Sequence, residues 1–392
     1  MSWTLPSVGL NALLAGLQEA QLALRAVLHA LGLAPDLHGQ PAWPFAQRVA
    51  SEMLVFDAGH ARRVVLALAA AALTGVALLL SILWRRGRYW MWAGALALVV
   101  LTPWPEAHLL FAPTTPTAFH GATSGFTAEG IERGRAVYAQ HCLRCHGTDG
   151  RGEGPDAARL PMWPPTLNGS LLWKRLDGEL FWHVRQGMQG RDGRETMPAF
   201  GAQLADGQVW EVLDFLQAQA AGQMLAREGA WAFPVRLPDA TVQCRAGPPR
   251  RLRHLHGQRL RVVAAGPGVP LPADDPRLVT VALALPGVAP AGEPECLVRD
   301  AEAASALALV LGVTGNRLAG HQVMVDRDGW LRVRGRPGQA AWSEDDLVCR
   351  AAGAPKSPAQ ATASPGGADG LENLIRRMDA EPVRLLRGGF PH

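Results

Sequence analysis

The sequence predicts a multidomain chain with N-terminal transmembrane α-helices, an all-α domain in the middle and an α/β domain after it. Three observations predict this. Uncharged runs from Val64 to Trp84 and from Tyr89 to Trp104 follow one another closely. A Cys142-x-x-Cys145-His146 run lies between stretches of helical periodicity. From residue 241 onward, short β-branched runs alternate with one alanine-rich helical stretch and a hairpin signal at Asp328-Gly329. At 392 residues the chain also exceeds what one core usually serves.

Residues 1–60 are expected as an amphipathic, periplasmic segment. The first 32 residues carry no basic n-region and no small-residue cleavage site, so they do not read as a cleaved signal peptide. Leu10, Leu13, Leu14, Leu17, Leu24, Val27, Leu28 and Leu31 suggest a helix interrupted by Gln18, Glu19 and Arg25. It would lie on the membrane or pack against a partner, since its charged residues disfavour a third crossing.

Residues 61–112 read as a transmembrane helical hairpin. The run from Val64 to Trp84, at about 1.5 Å per residue, is long enough to cross a hydrocarbon core of about 30 Å. The second run is shorter, carries Trp90, Trp92 and Trp104 as interfacial anchors, and is ended or kinked by Pro103 and Pro105. Arg85-Arg86-Gly87-Arg88 between them would be cytoplasmic by the positive-inside rule, leaving both flanks in the periplasm. Arg62 and Arg63 at the outer end weaken that asymmetry without reversing it. The expected location is the bacterial inner membrane, in contact with lipid. A further membrane protein is expected to complete so short a bundle.

Residues 113–126 are a linker, and 127–222 hold the chemistry. Cys142-x-x-Cys145-His146 is the attachment signature of a c-type haem: two thiols near each other form thioether links to the porphyrin, and the imidazole beside them reaches the iron. A redox pair or half a zinc site shares the Cys spacing, but a zinc site wants a second Cys pair and none is present. A six-coordinate haem needs a second axial ligand. Met197 is the candidate, because Pro198 after it favours extended backbone that presents sulfur rather than burying it. Met188 and Met162 compete, and core packing is the ordinary role of any methionine.

These motifs, in order, resemble a class I cytochrome c domain. Gly134 and Tyr138 precede Cys142 as in that family's first helix, here Thr127 to His141. The resemblance implies that the small residue lets the last helix cross closely and the aromatic packs beside haem. A glycine-rich loop from Gly147 to Pro155 leads to Pro164-Pro165-Thr166-Leu167. The family places a proline carbonyl there to accept the Nδ1 proton of the proximal histidine, which makes Pro165 the candidate. Leu204 to Phe215 and Leu216 resemble the closing helix, with Val209, Trp210, Leu213 and Phe215 as core. Trp182 and Arg185 offer an indole N–H and a guanidinium to the haem propionates, although a solvated helix face accounts for Arg185 equally.

No second Cys-x-x-Cys-His occurs, so one covalently bound haem c is expected, with His146 and Met197 on the iron. Attachment of this kind implies a periplasmic domain. Trp43-Pro44-Phe45, the two spans and the segment from Ala112 to Thr127 together resemble the end of a copper-resistance D-type membrane protein fused to a cytochrome c. That family's longer bundle of helices is missing here, so its copper-ligand chemistry is not carried over; His60, His108 and His120 are the histidines available to copper at a membrane edge, although isolated histidines are ordinarily surface or packing residues.

Residues 223–240 read as a connector. Residues 241–350 are expected as mixed α/β: strands at Arg259 to Ala264 and Leu278 to Leu285, a helix at Ala301 to Leu311, and a hairpin from Val323 to Val333. That order, with Val-Asp-Arg-Asp-Gly-Trp-Leu, resembles a thioredoxin-like domain. Its thiol pair is absent, since Ala265-Gly266-Pro267-Gly268-Val269-Pro270 stands where cysteines would be. Two of Cys244, Cys296 and Cys349 are expected to pair in an oxidising compartment, leaving one free. Residues 351–370 form a flexible linker, and 371–392 a terminal helix and tail.

A net charge of +4, with Lys174 and Lys356 the only lysines, argues against nucleic acid as a partner. No phosphate loop or Ser-His-Asp set offers a competing active site. The expected function is a membrane-anchored periplasmic monohaem cytochrome carrying single electrons between periplasmic or membrane redox proteins, and no enzyme. An open sixth position would instead make a haem-based sensor; copper handling with an auxiliary haem is a third reading.

Overall fold

A computed structural model describes residues 7–50, 58–84, 86–106, 110–169, 171–339, 341–349 and 368–383. The chain forms two compact units, dividing after Phe119.

In the first unit, α1 (Ser7–Ala30) runs without a break, so Gln18, Glu19 and Arg25 do not interrupt it. β1 (Asp36–Leu37) and β2 (Gln40–Pro41) form a hairpin whose turn residues, His38 and Gly39, both have positive φ. β3 (Gln47–Val49) pairs antiparallel with β4 (Phe111–Pro113). Between those strands lie α2 (Ala58–Leu83) and α3 (Arg88–Leu101). Within α2, Arg62–Ile82 is long and apolar enough to cross a membrane, and only 17% of its most apolar window is buried, unlike the core helix of a soluble protein.

α3 is shorter than its uncharged run. It stops before Pro103 and Pro105, and its 14 residues reach about 21 Å. The pair nevertheless closes on itself. Ala67, Ala70 and Ala95 are buried, and Trp92 donates its indole N–H to Ser81 Oγ (3.1 Å). At the open end Arg63 meets Glu106 at 3.5 Å. With β3 paired to β4, both flanks of the helical pair leave from the same end.

The second unit begins with α4 (Ala128–His141), capped by Thr127, whose Oγ1 accepts from the Gly130 N–H at 3.0 Å. The short α5 (Leu143–His146), α6 (Leu171–Lys174) and α7 (Asp177–Gln186) follow. A two-stranded ribbon, β5 (Met188–Gln189) with β6 (Glu195–Met197), leads to α8 (Asp206–Glu228). α8 crosses α4 at Gly134, where a Cβ would come within 2.0 Å of the Glu211 carbonyl oxygen. Val209, Trp210, Leu213 and Phe215 are all buried, as the sequence predicts.

α8 continues to Glu228, through the first part of the segment read as a connector, and ends at the left-handed Gly229. The cause is an apolar face made by Ala218, Ala221, Gly222, Met224 and Leu225, all buried. α9 (Ala301–Leu311) packs against this part of α8, and a Cβ on Gly222 would lie 1.8 Å from the Leu309 carbonyl oxygen.

The rest of the unit is sheet-rich. β7 (Thr241–Cys244), β8 (Arg250–Arg251), β9 (Leu260–Ala265), β10 (Val279–Ala284), β11 (Cys296–Val298), β12 (Gln322–Val325) and β13 (Leu331–Gly335) make one sheet in the order β13-β12-β9-β10-β11-β7-β8. β9, β10 and β11 are parallel; the remaining pairs are antiparallel. The hairpin turns where expected, with Asp326 Oδ1 accepting from the N–H groups of Asp328 (3.0 Å) and Trp330 (2.9 Å). Cys244 and Cys296 sit opposite each other on β7 and β11 and are disulfide-bonded, so the buried Cys349 lies outside the disulfide. α10 (Ala368–Ala380), longer than expected, packs Leu371, Leu374, Ile375 and Met378 onto Met324, Val333 and Leu347. The segment expected as a linker lies mostly outside the described residues.

Candidate functional site

α4 delivers the chain directly to Cys142. The Cys145 and His146 N–H groups both donate to the Cys142 carbonyl, at 3.2 and 2.9 Å, so one helical turn carries both thiols and the imidazole. The loop after Gly147 then folds back on that turn. Gly152 donates to the His146 carbonyl (2.9 Å), Gly154 to Cys145 (3.1 Å) and Asp156 to Arg144 (2.9 Å), while the Arg144 and Asp156 side chains pair at 2.6 Å.

Burial pushes the Cys142 thiol up to about 12, with Cys145 adding to it, and raises Cys145 as well. Neither thiol is activated in the manner of a redox pair, whose thiolate must form readily. Burial lowers the pKa of His146, and the Pro165 carbonyl partly opposes it by favouring a proton on the ring. Its Nδ1 is buried and makes no hydrogen bond of ordinary geometry. Burial therefore favours the neutral form of the imidazole, beside a carbonyl that can orient it.

Met197 closes β6, extended as its proline neighbour requires, and pairs in register with Met188 on β5. The sequence offers Met188 only as a competitor of Met197, whereas here the two face each other on one ribbon. The Thr196 hydroxyl donates to the Met188 carbonyl at 3.1 Å, and Phe200 N–H to that of Val184 at 3.1 Å. The Phe200 ring lies 5.9 Å from the His141 ring, which ties the Met197 segment to the residue preceding Cys142.

Trp182, on α7, is half-buried. Arg185 is occupied. Its Nη1 reaches Asp206 and the Leu204 carbonyl, and its Nη2 the Gly201 carbonyl (3.2 Å), fastening α7 to the entry of α8. Neither the solvated face nor a free guanidinium describes it. Tyr138 packs on Phe215 at 5.3 Å and donates to the Gly147 carbonyl at 2.6 Å, so it also braces the turn after His146.

Among the described residues of this unit, the large apolar side chains left exposed are Met162, Trp163 and Met188. Met162 and Trp163 share the loop that bears Pro165, and Met188 stands beside Met197. An apolar plate held at Cys142 and Cys145 would cover such side chains, and a His146 ring with the Pro165 carbonyl beside it suits a ligated imidazole. The residues present thus fit a haem c.

Sequence reasoning missed what holds this loop in place. Gln219 and Gln223 donate from α8 to the carbonyls of Thr148 and Asp149, both at 3.0 Å, and Arg227 to that of Asn168 at 3.3 Å. Their i, i+4, i+8 spacing was the available signal; alone it reads as a solvated helix face. Also missed was Asp214, buried on α8.

For copper, no group of three or more His, Cys, Asp or Glu among the described residues could hold a metal. His120 is buried, the side chain of His60 is not described, and His108 lies outside the described residues.

Residues 129–216 match the family model described as cytochrome C oxidase, cbb3-type, subunit III. Among solved structures, the chain is similar to a Kuenenia stuttgartiensis reducing HAO-like protein complex at 22% identity and a TM-score of 0.22, over 31% of this chain and 58% of that one. The chain thus spans less than two thirds of that protein's length. No curated protein matches. With the family match and the Cys142-x-x-Cys145-His146 turn on one helical frame, this multidomain chain contains a cytochrome c domain, which implies haem c and redox partners.

Proposed function

We propose that the protein is a membrane-anchored, periplasmic monohaem cytochrome that carries single electrons between redox proteins. The observation that carries this reading is the turn holding Cys142, Cys145 and His146, with Pro165 behind the imidazole and the Met197 ribbon tied back to His141 through Phe200. Haem c bound there supplies one-electron chemistry at iron, at a potential raised by thioether sulfur.

The chain's own residues do the rest. Cys142 and Cys145 hold the ring covalently, and His146 and Met197 ligate the metal. Pro165 orients the imidazole by accepting from Nδ1–H. Trp182 is the indole available to a propionate, while Arg185 keeps the pocket wall in place through Asp206 and Gly201. The common exit of both flanks of α2 and α3 supports a membrane hairpin whose Arg-rich turn is cytoplasmic, with the haem on the periplasmic side. The sheet-rich region is read as a thioredoxin-like scaffold without thiol chemistry, because Cys349 is buried with its pKa pushed up to about 11.

Protein purified from membranes should contain one haem per chain that survives denaturation and acid-acetone extraction. Cys142→Ala with Cys145→Ala should leave none attached. Extractable haem in the wild type, or a stoichiometry of two, overturns the reading.

A further inference from the structure

Helix α1 is amphipathic in the inverted sense. Apart from the exposed Glu19, the polar side chains described on it, Gln18, Gln21, Arg25 and His29, point inward. Gln21, 6% exposed, donates through Nε2 to the Val49 carbonyl (3.3 Å) and accepts from the Val49 N–H (2.8 Å), so it caps both backbone groups of one β3 residue. Arg25 donates to the Phe119 carbonyl at 2.5 Å, and His29 Nε2 lies 3.1 Å from Asp36. Every exposed position from Ala20 to Leu31 is alanine, valine or leucine. Leu24, Val27 and Leu31 form a stripe at helical spacing, 44, 55 and 67% exposed, and Leu33 extends it. A helix of a soluble protein turns such a stripe to the core, where burial removes it from water. Here the polar face takes the protein side and the apolar face is left outside.

A short run of bonds links α1 to the open end of the α2–α3 pair. Arg63 meets Glu106, the Leu110 N–H donates to the Glu106 carbonyl (3.2 Å), and the Ala50 N–H donates to the Leu110 carbonyl (2.7 Å). The next residue on β3 is Val49, which Gln21 holds. The stripe is therefore tethered close to where α2 and α3, apolar on their outer surfaces, would leave the hydrocarbon.

We infer that α1 lies flat in the outer membrane–water interface of the same bilayer, its Leu24, Val27 and Leu31 face seated in lipid and its Gln21 and Arg25 face bonded to the β3–β4 ribbon. The partner is the lipid surface itself. From Ala20 to Leu31 the outer face carries no charge, the exposed Glu19 standing just before it, which favours apolar contact over headgroup attraction. With Gln18, Gln21, Arg25 and His29 on the inner side, a flat helix keeps those groups at the level of water, which a crossing helix does not. The inference rests on reading α2 and α3 as a membrane hairpin.

The test is nitroxide labelling of full-length protein in proteoliposomes, at single cysteines replacing Leu24, Val27 and Leu31 in α1, Val76 in α2 and Asn316 in the second unit. Protein without an introduced cysteine supplies the background. Collision with oxygen, which concentrates in lipid, is compared with collision with a water-soluble nickel chelate. The three α1 labels should favour oxygen severalfold and lie at a common depth of about 5–10 Å, with Val76 deeper and Asn316 aqueous. If the α1 labels behave like Asn316 while Val76 stays in lipid, the inference fails and the hairpin stands. If Val76 is also aqueous, both fail. A steep depth gradient from Leu24 to Leu31 makes α1 a crossing helix, and labels shielded from both reagents mean a protein covers the stripe; either result overturns the proposal.

Discussion

Gly134 lies directly against the carbonyl oxygen of Glu211, so close that a single added Cβ would come within 2.0 Å of it. The contact is with backbone on both sides, so no side-chain rotation relieves it. It sets the distance at which α4, leading to Cys142, crosses α8, whose Gln219 and Gln223 hold the loop after His146. Gly134→Ala should therefore separate the two helices. Overpacking usually costs about 1–3 kcal/mol, and the absence of any flexible neighbour puts this site at or above the upper end. Thermal unfolding followed by circular dichroism and by the haem absorption should both shift to lower temperature. An unchanged midpoint contradicts the crossing.

The same reasoning applies farther along α8. Gly222→Ala meets the Leu309 carbonyl at 1.8 Å and should loosen α9 with its sheet while leaving α4 against α8. Limited proteolysis should then release a fragment retaining the haem, where the wild type resists.

Thiol counting separates the cysteine roles. In denaturant without reductant, wild type should show one reactive thiol, Cys349, because Cys244 and Cys296 are bonded to each other and the proposed haem attachment would occupy Cys142 and Cys145. A count of three means the haem links are absent. Replacing Cys244 and Cys296 by serine should cost about 2–4 kcal/mol in urea unfolding.

Burial raises the carboxyl of Asp214 to about 7, although the Ser124 hydroxyl and the Phe126 N–H favour its ionised form; the neighbouring Asp177 and Glu211 raise it further. Unfolded, it titrates near its ordinary value of about 3.9. Between those values the folded chain holds a proton that the unfolded chain has lost, so this group's contribution to stability falls as pH rises from about 4 to about 7 and stays low above it. Asp214→Asn should flatten that part of the profile and raise stability at pH 8 relative to wild type. Urea midpoints at pH 5 and pH 8 check it; an unaltered pH slope contradicts it.

What was legible in the sequence was local. The helix leading to Cys142, the Cys142-x-x-Cys145-His146 run and the extended backbone at Met197 each follow from a few consecutive residues, as do Ala301–Leu311 and the hairpin at Asp328-Gly329, while the crossing at Gly134 comes with the family resemblance. What stayed hidden depends on long-range register. Cys244 pairs with Cys296 only because β7 lies beside β11, and Cys349 is no farther from either in any pattern that composition reveals. Arg185 read as exposed because Asp206 and Gly201 belong to a later segment. Gln18 and Arg25 read as interruptions of α1 because the ribbon that receives this polar face comes from β3 and the chain before Phe119.

In the proposed function Met197, and not Met188 opposite it on the ribbon, completes the iron coordination begun by His146. Optical spectra of the oxidised protein test this most directly, through the weak far-red band that reports methionine sulfur on ferric haem. The account predicts that wild type and Met188→Ala show the band and that Met197→Ala loses it, binds carbon monoxide when reduced, and has a lower potential. A wild type without the band that binds carbon monoxide readily would contradict the account and make the protein a ligand-binding haem module.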